Sequence, residues 1–240
     1  MTQRANLYHY DVKNCHYFKG TQDDQGNISY DGATGVPLPG LRSIDVSAEG
    51  ETTKIRADGR NYIVVVSNDG YSGTATFVKI SDQFRRDCLK EVIDSVTGMQ
   101  YENADAEPNP FALVGEFKGD AENIRFVFFN CTASRPNIKG ENKDNMKEPD
   151  EEELSFTASP LPISISDGND GTVEVNVVRG AVKKSDNADT WGAWFTTLQL
   201  PGTAPTVTGG ANGGETGGET GGETGGETGG ETSGGTGTNP

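Results

Sequence analysis

Two short apolar runs near the middle of the chain carry its clearest hydrophobic pattern. Phe111 to Phe117 and Ile124 to Cys131 are joined by the turn residues Lys118-Gly119-Asp120. Apolar runs of this length, bounded by turn residues, predict half-buried or fully buried β-strands. The short connection predicts that the two strands pair as a hairpin, and we expect the rest of the fold to be organised around it.

A long polar segment follows this hairpin, after which the pattern returns to that of a strand. Lys139 to Glu153 is rich in charged residues, and Met146 is its only large apolar residue, whereas Leu154 to Ala158 alternates apolar and polar positions. Ordering about fifteen residues costs roughly 1 to 2 kcal/mol each, and this segment has little apolar surface to offset that cost. We therefore expect a loop that is mobile in the free subunit or ordered by a partner.

Further strands are predicted on both sides of the central hairpin. Imperfect alternation in the predicted strand from Leu41 to Ser47 indicates a β-bulge. Ala57-Asp58-Gly59 and Asn68-Asp69-Gly70 have the composition of tight turns, so the strands around them predict a meander, with the second turn as the better hairpin signal. The predicted strands are Arg4 to Phe18, Leu41 to Ser47, Glu51 to Ala57, Tyr62 to Ser67, Ser72 to Ile80 and Thr172 to Val178. The aromatic segment Trp191 to Leu200 is expected to dock the C-terminal end of the domain.

One helix is predicted, over about residues 81–94, because Ser81 suits an N-cap and apolar residues then recur at helical spacing. We expect it to lie across one face of a sheet. Its predicted core face consists of Phe84, Cys88, Leu89 and Val92. The predicted fold class is therefore mainly β, a sandwich or barrel with one flanking α-helix and long loops.

Composition divides the chain into two parts. From Gly209 the sequence consists of Gly, Thr and Glu with few exceptions and includes tandem GGET units, with no residue that forms a core. Such a composition predicts a disordered tail. We expect one β domain at residues 1–207 and a low-complexity tail at residues 208–240.

Net charge and hydropathy argue against two classes of partner. The formal net charge is -16 and the pI is about 4.5, and no cluster of Lys and Arg offers phosphates a binding surface. No apolar run approaches the roughly 20 residues needed to span a membrane, and Met1 to Asp11 has no apolar signal-peptide core. We expect synthesis in the cytosol, no membrane partner and no ordinary nucleic-acid binding.

Candidate catalytic and metal-binding residues are sparse. His9, Asp11 and Cys15 would share one face of the first strand, with His16 on the other, and a Cys-His-Asp nucleophile there is the weaker alternative to ordinary strand residues. Cys15, Cys88 and Cys131 are expected to be buried small apolar residues, since their spacing suits neither a metal site nor a disulfide framework. The acidic loops at residues 23–27 and 167–171 lack the register of a calcium loop, so turn chemistry is favoured over a cation site. We predict no enzyme activity, no cofactor and no metal.

Several ordered segments resemble the major tail protein family of long-tailed, non-contractile phages of Gram-positive bacteria. The resemblance extends from about Leu7 to Pro201. It is carried by PLPG-L, EGETTKIRADGRNY, SNDGYSGTATF, DQFRRDCL, NPFALVGEF, NIRFVFFNCTASRP, ELSFTASP and WFTTLQLP. The GGET tail has no counterpart in the common core of that family.

This resemblance implies a structural protein of the virion tail, assembled in the host cytoplasm. In that family the subunits form homohexameric rings that stack into a tail tube around a tape-measure protein, between tail terminator and distal tail proteins. Phage DNA passes through the lumen during genome ejection without specific binding. An acidic wall suits such passage, because it repels phosphates instead of gripping them.

The polar loop after the central hairpin is the predicted connection between stacked rings, because it is anchored in two strands and a partner would order it. Its candidate contact residues are Ser134, Arg135, Pro136, Lys139, Lys143, Met146, Lys147, Glu151 and Glu153. The alternative function is a surface adhesion or glycan-binding β module on a Gly/Thr-rich stalk. That alternative requires export, for which the N-terminus offers no signal.

Overall fold

Strands make up most of the computed structural model, which describes residues 6–30, 32–140, 150–166 and 171–202. The predicted mainly β class with a flanking helix is confirmed. In chain order the strands are β1 (His9–Lys19), β2 (Thr21–Gln22), β3 (Ile28–Ser29), β4 (Val36–Pro37), β5 (Leu41–Glu49), β6 (Thr52–Ala57), β7 (Arg60–Val66), β8 (Gly70–Phe77), β9 (Val92–Ile93), β10 (Gln100–Tyr101), β11 (Phe111–Gly119), β12 (Ile124–Ala133), β13 (Glu152–Ala158), β14 (Leu161–Ser166), β15 (Thr172–Val177) and β16 (Arg179–Lys183). The helices of the described residues are α1 (Asp82–Cys88) and α2 (Ala188–Ala193).

The main sheet is antiparallel and has the order β4-β1-β11-β12-β13-β8-β5, with β16 paired to β12 as well. The predicted central hairpin is confirmed, since β11 and β12 pair from Phe117 opposite Ile124 onwards. The outer side of β12 is shared: its first half pairs with β16 and its last three residues with β13. Asn130 lies between the two halves with φ of 46°, a left-handed conformation that Asn tolerates better than most residues. The sheet therefore divides at this residue.

The two ends of the sheet are held close together by the chain itself. β4 and β5 are the edge strands of the order, yet only Leu38, Pro39 and Gly40 separate them in sequence. Such a connection spans at most about 14 Å, whereas the edges of a flat seven-strand sheet would lie about 29 Å apart. The sheet must therefore curl into an incomplete barrel.

The central strands are buried on both faces. Alternate residues of β1, β11 and β12 enter two separate core clusters, as the two-residue repeat of a strand requires. The first cluster fills the inside of the curled sheet and includes Tyr17, Phe111 and Phe128, together with the α1 residues Phe84 and Cys88. The second cluster, on the outer face, includes Phe18, Val114, Val127, Phe129, Leu161 and Trp194.

The C-terminal aromatic segment covers the outer face of the central strands, as the sequence predicts. Trp194 is buried in the second cluster and donates its indole N–H to the carbonyl of Phe126 at 3.2 Å. Trp191, Phe195, Leu198 and Leu200 pack around the same cluster. The segment begins as the short helix α2, capped by the side chain of Asn187, which accepts from the N–H groups of Asp189 and Thr190.

The helix α1 is shorter than predicted. Ser81 caps it by accepting from the N–H of Phe84, as expected, and Phe84, Cys88 and Leu89 are buried. The helix ends at Cys88, because Lys90 adopts a left-handed conformation with φ of 58°. Val92, predicted to lie on its core face, belongs instead to β9 and is 44% exposed.

We predict that Phe84→Ala lowers the free energy of unfolding by about 3 to 5 kcal/mol. The ring is fully buried and meets Tyr17 and Phe111 edge-on, with ring centroids 5.0 and 5.2 Å away, so truncation leaves a cavity between α1 and the sheet. Urea unfolding followed by circular dichroism measures the change. The control Leu7→Ala removes an exposed side chain and should change stability by less than about 0.5 kcal/mol; equal effects of the two variants would contradict the predicted packing.

Candidate assembly surfaces

A β-ribbon extends the pair β5–β8 beyond the main sheet. β5 and β8 pair from Leu41 opposite Phe77 to Glu49 opposite Gly70, and the chain then continues into β6 and β7, which pair only with each other among the described strands. We call residues Thr52–Val66 the arm. Its turn, Asp58-Gly59, has φ of 53° and 74°, the two positive values that a type I′ hairpin turn requires.

This arrangement confirms the first hairpin of the predicted meander, around Asp58-Gly59, and corrects the second. The stretch Asn68-Asp69-Gly70 was the stronger hairpin signal, but β7 does not turn back to pair with β8. Instead β8 lies between β5 and β13, and the Asp69 N–H donates to the carbonyl of Glu49 across the base of the arm. Turn composition is local, whereas the choice of partner strand depends on the apolar face that β8 presents to the barrel interior.

The arm has exposed apolar side chains on both faces. Alternation places Ile63 and Val65 on one face, beside Ile55, and Tyr62, Val64 and Val66 on the other. These six side chains are between 45% and 70% exposed. A two-stranded hairpin is marginally stable alone in water, and contiguous exposed apolar surface marks an interaction site. Sequence reasoning missed this surface, although the unbroken run from Tyr62 to Val66 indicates a strand that needs cover on both faces.

The arm is basic in a strongly acidic chain. Lys54, Arg56 and Arg60 outnumber its one carboxylate, Asp58, so the arm carries a net charge of +2 while the whole chain carries -16. None of these three cations forms an ion pair with another described residue. Their charges remain available to a partner.

A second exposed apolar surface lies after α1 and is acidic. We call residues Val92–Glu107 the lobe; it contains the small hairpin β9–β10 and the loop that follows. Its exposed apolar side chains, Val92, Ile93, Val96, Met99 and Tyr101, are 44% to 89% exposed. Its charged residues are the carboxylates Asp94, Glu102, Asp105 and Glu107, with no Lys or Arg.

Two of the four carboxylates of the lobe, Asp94 and Glu102, bind other groups of the same chain. Asp94 accepts from the Val96 N–H at 2.9 Å and from the Thr97 hydroxyl at 2.6 Å, and these bonds, the hydroxyl first, hold its pKa below the ordinary value. Glu102 pairs with Arg135 at 2.6 Å. Asp105 and Glu107 make no side-chain ion pair or hydrogen bond to another described residue.

The predicted inter-ring loop is described at its two ends. Arg135 contacts the lobe through Glu102 and the carbonyls of Asn103 and Ala104, and the Ser134 N–H donates to the carbonyl of Ser155. At the other end Glu151 pairs with Arg42, and Glu153 lies in β13 opposite Thr76. Pro136 and Lys139 lie in the described part of the loop, outside any strand. Lys143, Met146 and Lys147 lie outside the described residues.

The outward face of β5, β8 and β13 is lined by hydroxyls and carboxylates. The registers place Asp45, Thr74 and Ser155 in one row, and Ser47, Ser72 and Thr157 in the next. Other members of this face, by alternation, are Ser43, Glu49, Thr76 and Glu153. Among these ten residues there is no Lys or Arg, so the face is polar and negatively charged.

A buried ion pair fixes the C-terminal segment to the central hairpin. Glu116 is 3% exposed and accepts from Arg125 Nε at 2.9 Å, Asn123 Nδ2 at 2.7 Å and Lys13 Nζ at 3.2 Å. Arg125 also lies over the rings of Trp191 and Phe195, at 4.0 and 4.5 Å, and donates to the Trp191 carbonyl. Burial would raise the pKa of Glu116, but Arg125 and then Lys13 outweigh it and hold the pKa below its usual value.

The candidate nucleophile of the first strand is not assembled. Bulges between His9 and Asp11 and between Lys13 and His16, with Asn14 at φ of 55°, break the predicted alternation. Cys15 is buried in the first core cluster, and burial raises its pKa to about 12, so it remains a protonated thiol. His16 stacks on Phe195 with ring centroids 4.7 Å apart. Cys88 and Cys131 are also buried, and burial raises the pKa of each.

The acidic loop at Asp23 has the predicted turn chemistry. The Asp23 carboxylate accepts from the side-chain amide of Asn27 and from the N–H groups of Asn27 and Gln25, which lowers its pKa. Residues 167–170 of the other acidic loop lie outside the described residues. Within the described ranges no group of three or more His, Cys, Asp or Glu is placed to hold a metal ion. Neither of the two described helices has the length and hydrophobicity to cross a membrane.

Comparisons with known proteins give only remote similarities. No family model matches the sequence, and no curated protein matches it significantly. Among solved structures, the chain is similar to the tube-terminating cap of the anti-feeding prophage (TM-score 0.36, 9% identity, 74% of this chain and 99% of the other). It is also similar to a chain of the anti-feeding prophage baseplate (0.34, 10%, 76% and 97%) and to a type six secretion system protein (0.32, 12%, 73% and 98%). TM-scores this low do not establish a shared function.

We predict that Glu116→Gln destabilises the protein by about 3 kcal/mol at pH 7, because it leaves Arg125 without its buried counter-charge. The folded pKa of Glu116 lies below its unfolded value. The contribution of the ionised Glu116 side chain to the free energy of unfolding is therefore complete above the ordinary carboxyl pKa of about 4.3. It is lost as the pH falls through the lower pKa of the folded state. The stability difference between wild type and variant should shrink over that acid range in urea titrations at several pH values. Glu174→Gln, which alters an exposed carboxylate, is the matched control and should show neither effect; a pH-independent difference for Glu116→Gln would contradict the assignment.

Proposed function

We propose that this chain is a structural subunit of a virion tail, and specifically the major subunit of a tail tube built from stacked homohexameric rings. The resemblance of its ordered segments, from Leu7 to Pro201, to major tail proteins of non-contractile phages supports this proposal. The tape-measure protein, the tail terminator and the distal tail protein are the proposed partners beyond the subunit itself.

The arm is the observation that carries the proposal. Its apolar side chains are uncovered in the single chain, and it projects from the edge pair of the main sheet. A projecting element that docks on a different surface of an identical subunit makes a heterologous contact, which generates either a closed ring or an open filament. A tube of stacked rings requires contacts of both kinds, because subunits close into a ring and rings repeat along the tube axis.

The curled sheet also has features that suit a tube wall. A lumen wide enough for a DNA duplex takes more strands than one such barrel contains, so several subunits would pool strands around it. The outer edge of β5 has no partner strand among the described residues and is nine residues long. The hydroxyl and carboxylate face of β5, β8 and β13 is the proposed lumen wall, with Asp45, Glu49 and Glu153 repelling the phosphates of the passing DNA.

Assembly of the purified protein tests the proposal. We expect concentrated wild-type protein to form rings or tubes of uniform bore in negative-stain micrographs. A variant in which Gly-Gly replaces Thr52–Val66 should keep a cooperative unfolding transition by circular dichroism and remain monomeric, because the arm contributes nothing to either core cluster. Wild-type protein that stays monomeric at every concentration, or tubes formed by the variant without its arm, would contradict the proposal.

Deletion of residues 139–150 tests the proposed contact between rings. The described residues of the loop add no member to the two core clusters, so we expect a folded variant that forms single rings but does not stack them. Counting rings and tubes in micrographs at matched concentration measures this. A variant with the same residues replaced by a Gly/Ser segment of equal length is the control for chain connectivity and should also fail to stack. Normal tubes from either variant would remove the loop from the inter-ring contact.

A further inference from the structure

The arm and the lobe have complementary surfaces on the same chain. Both combine exposed large apolar side chains with a surrounding set of charges, but the charges are opposite in sign. The arm carries +2, from three cations and one carboxylate, whereas the lobe carries -4 and has no cation. We infer that the arm of one copy docks on the lobe of a second copy of this chain. This inference rests on the proposed self-assembly and names its contact surfaces.

The lobe is favoured over the rest of the body as the receptor for the arm because it combines negative charge with exposed apolar side chains. Most of the chain is acidic, so simple attraction acts everywhere, but the hydroxyl and carboxylate face of β5, β8 and β13 offers nothing apolar to cover Val64 and Val66. The lobe offers both requirements, since it carries the exposed apolar side chains of Val96 and Met99 together with Asp105 and Glu107, which make no side-chain ion pair or hydrogen bond to another described residue. Apolar burial supplies the affinity, and opposite charges supply orientation and selectivity.

The contact has to form between copies. The large apolar side chains of both surfaces are exposed in the single chain, so neither surface covers the other within it. Because the two surfaces are different parts of the chain, the contact can be heterologous and repeat from copy to copy instead of closing as a reciprocal dimer. The lobe is held in shape for this role by Asp94 and by the Glu102–Arg135 pair, which leaves the other two carboxylates for the partner.

The arm contributes two of its three cations, Arg56 and Arg60, near its tip and its apolar side chains along its length. Arg60 pairs with Ala57 at the turn and Arg56 with Asn61, while Tyr62 to Val66 extend back towards the body. In the docked arrangement Arg56 and Arg60 meet Asp105 and Glu107, and the valines of the arm cover Val96 and Met99. Reversing the charges on either surface places like charges in contact, which lowers the affinity between two copies of the chain by several-fold or more.

Charge reversal followed by compensation tests the contact. Arg56→Glu with Arg60→Glu should raise the concentration for half-maximal assembly by about tenfold or more, and Asp105→Lys with Glu107→Lys should do the same. All four substitutions in one chain should restore that concentration to within about threefold of wild type. Sedimentation velocity over a concentration series gives the value, and circular dichroism verifies folding of each variant.

The matched control is Arg179→Glu with Lys184→Glu, which makes the same change of charge at exposed positions on and just after β16. It should assemble like the wild type. If the arm variant also assembles like the wild type, or if the fourfold variant is no better than either parent, the docking contact is wrong although the proposed function stands. If wild-type protein does not assemble at all, the proposed function fails first.

Cross-linking gives a second readout that does not depend on charge. Val64→Cys and Val96→Cys together in one chain should give a ladder of covalent oligomers with a short bismaleimide, whereas either substitution alone should give none. The native Cys15, Cys88 and Cys131 are buried and do not compete. A ladder limited to dimers, or equal yields from the single variants, would show that the arm does not reach the lobe of the next copy.

Discussion

The central strands β11 and β12 carry apolar side chains on both faces, and two different layers are therefore needed to keep them from water. The curled sheet closes over one face and encloses Phe111, Leu113 and Phe128, while the C-terminal segment with Trp194 covers the other. Leaving either face exposed would cost roughly 25 cal/mol for each Å² of apolar surface. The position of α1, the division of the sheet at Asn130 and the buried Glu116–Arg125 pair all serve this double covering.

The apolar side chains of the arm and of the lobe also require cover from water, but they are exposed in the single chain. β7 has the continuous apolar sequence of a strand covered on both faces, yet within the chain it pairs with β6 alone. The barrel satisfies its apolar surface internally, whereas these two projections leave theirs to be satisfied by another molecule. Their opposite charges are the basis of the proposed contact between the arm of one copy and the lobe of the next.

The proposed role as a tail-tube subunit brings these features together. The subunits of such a tube need a rigid body, a wall that does not bind the passing polyanion and contacts that repeat from copy to copy. The barrel with its two core clusters supplies rigidity, and the face of β5, β8 and β13 is free of cations. The arm and lobe supply a pair of different surfaces, from which rings and filaments are generated.

The amino-acid sequence by itself determined the elements whose cause is local. The apolar runs of β11 and β12, the bulge in β5 and the cap at Ser81 follow from alternation, phase and side-chain chemistry at neighbouring positions. Beyond the hairpins β11–β12 and β6–β7, the tertiary structure alone decided which strand lies beside which. β8 pairs with β5 and β13 although Asp69-Gly70 favours a turn back to β7, and α1 stops before Val92 because Lys90 leaves the helical conformation. Periodicity reports that a face must be buried, whereas the residues that bury it come from distant parts of the chain, so local pattern predicts the hairpin of the arm but neither its separation from the main sheet nor its proposed receptor.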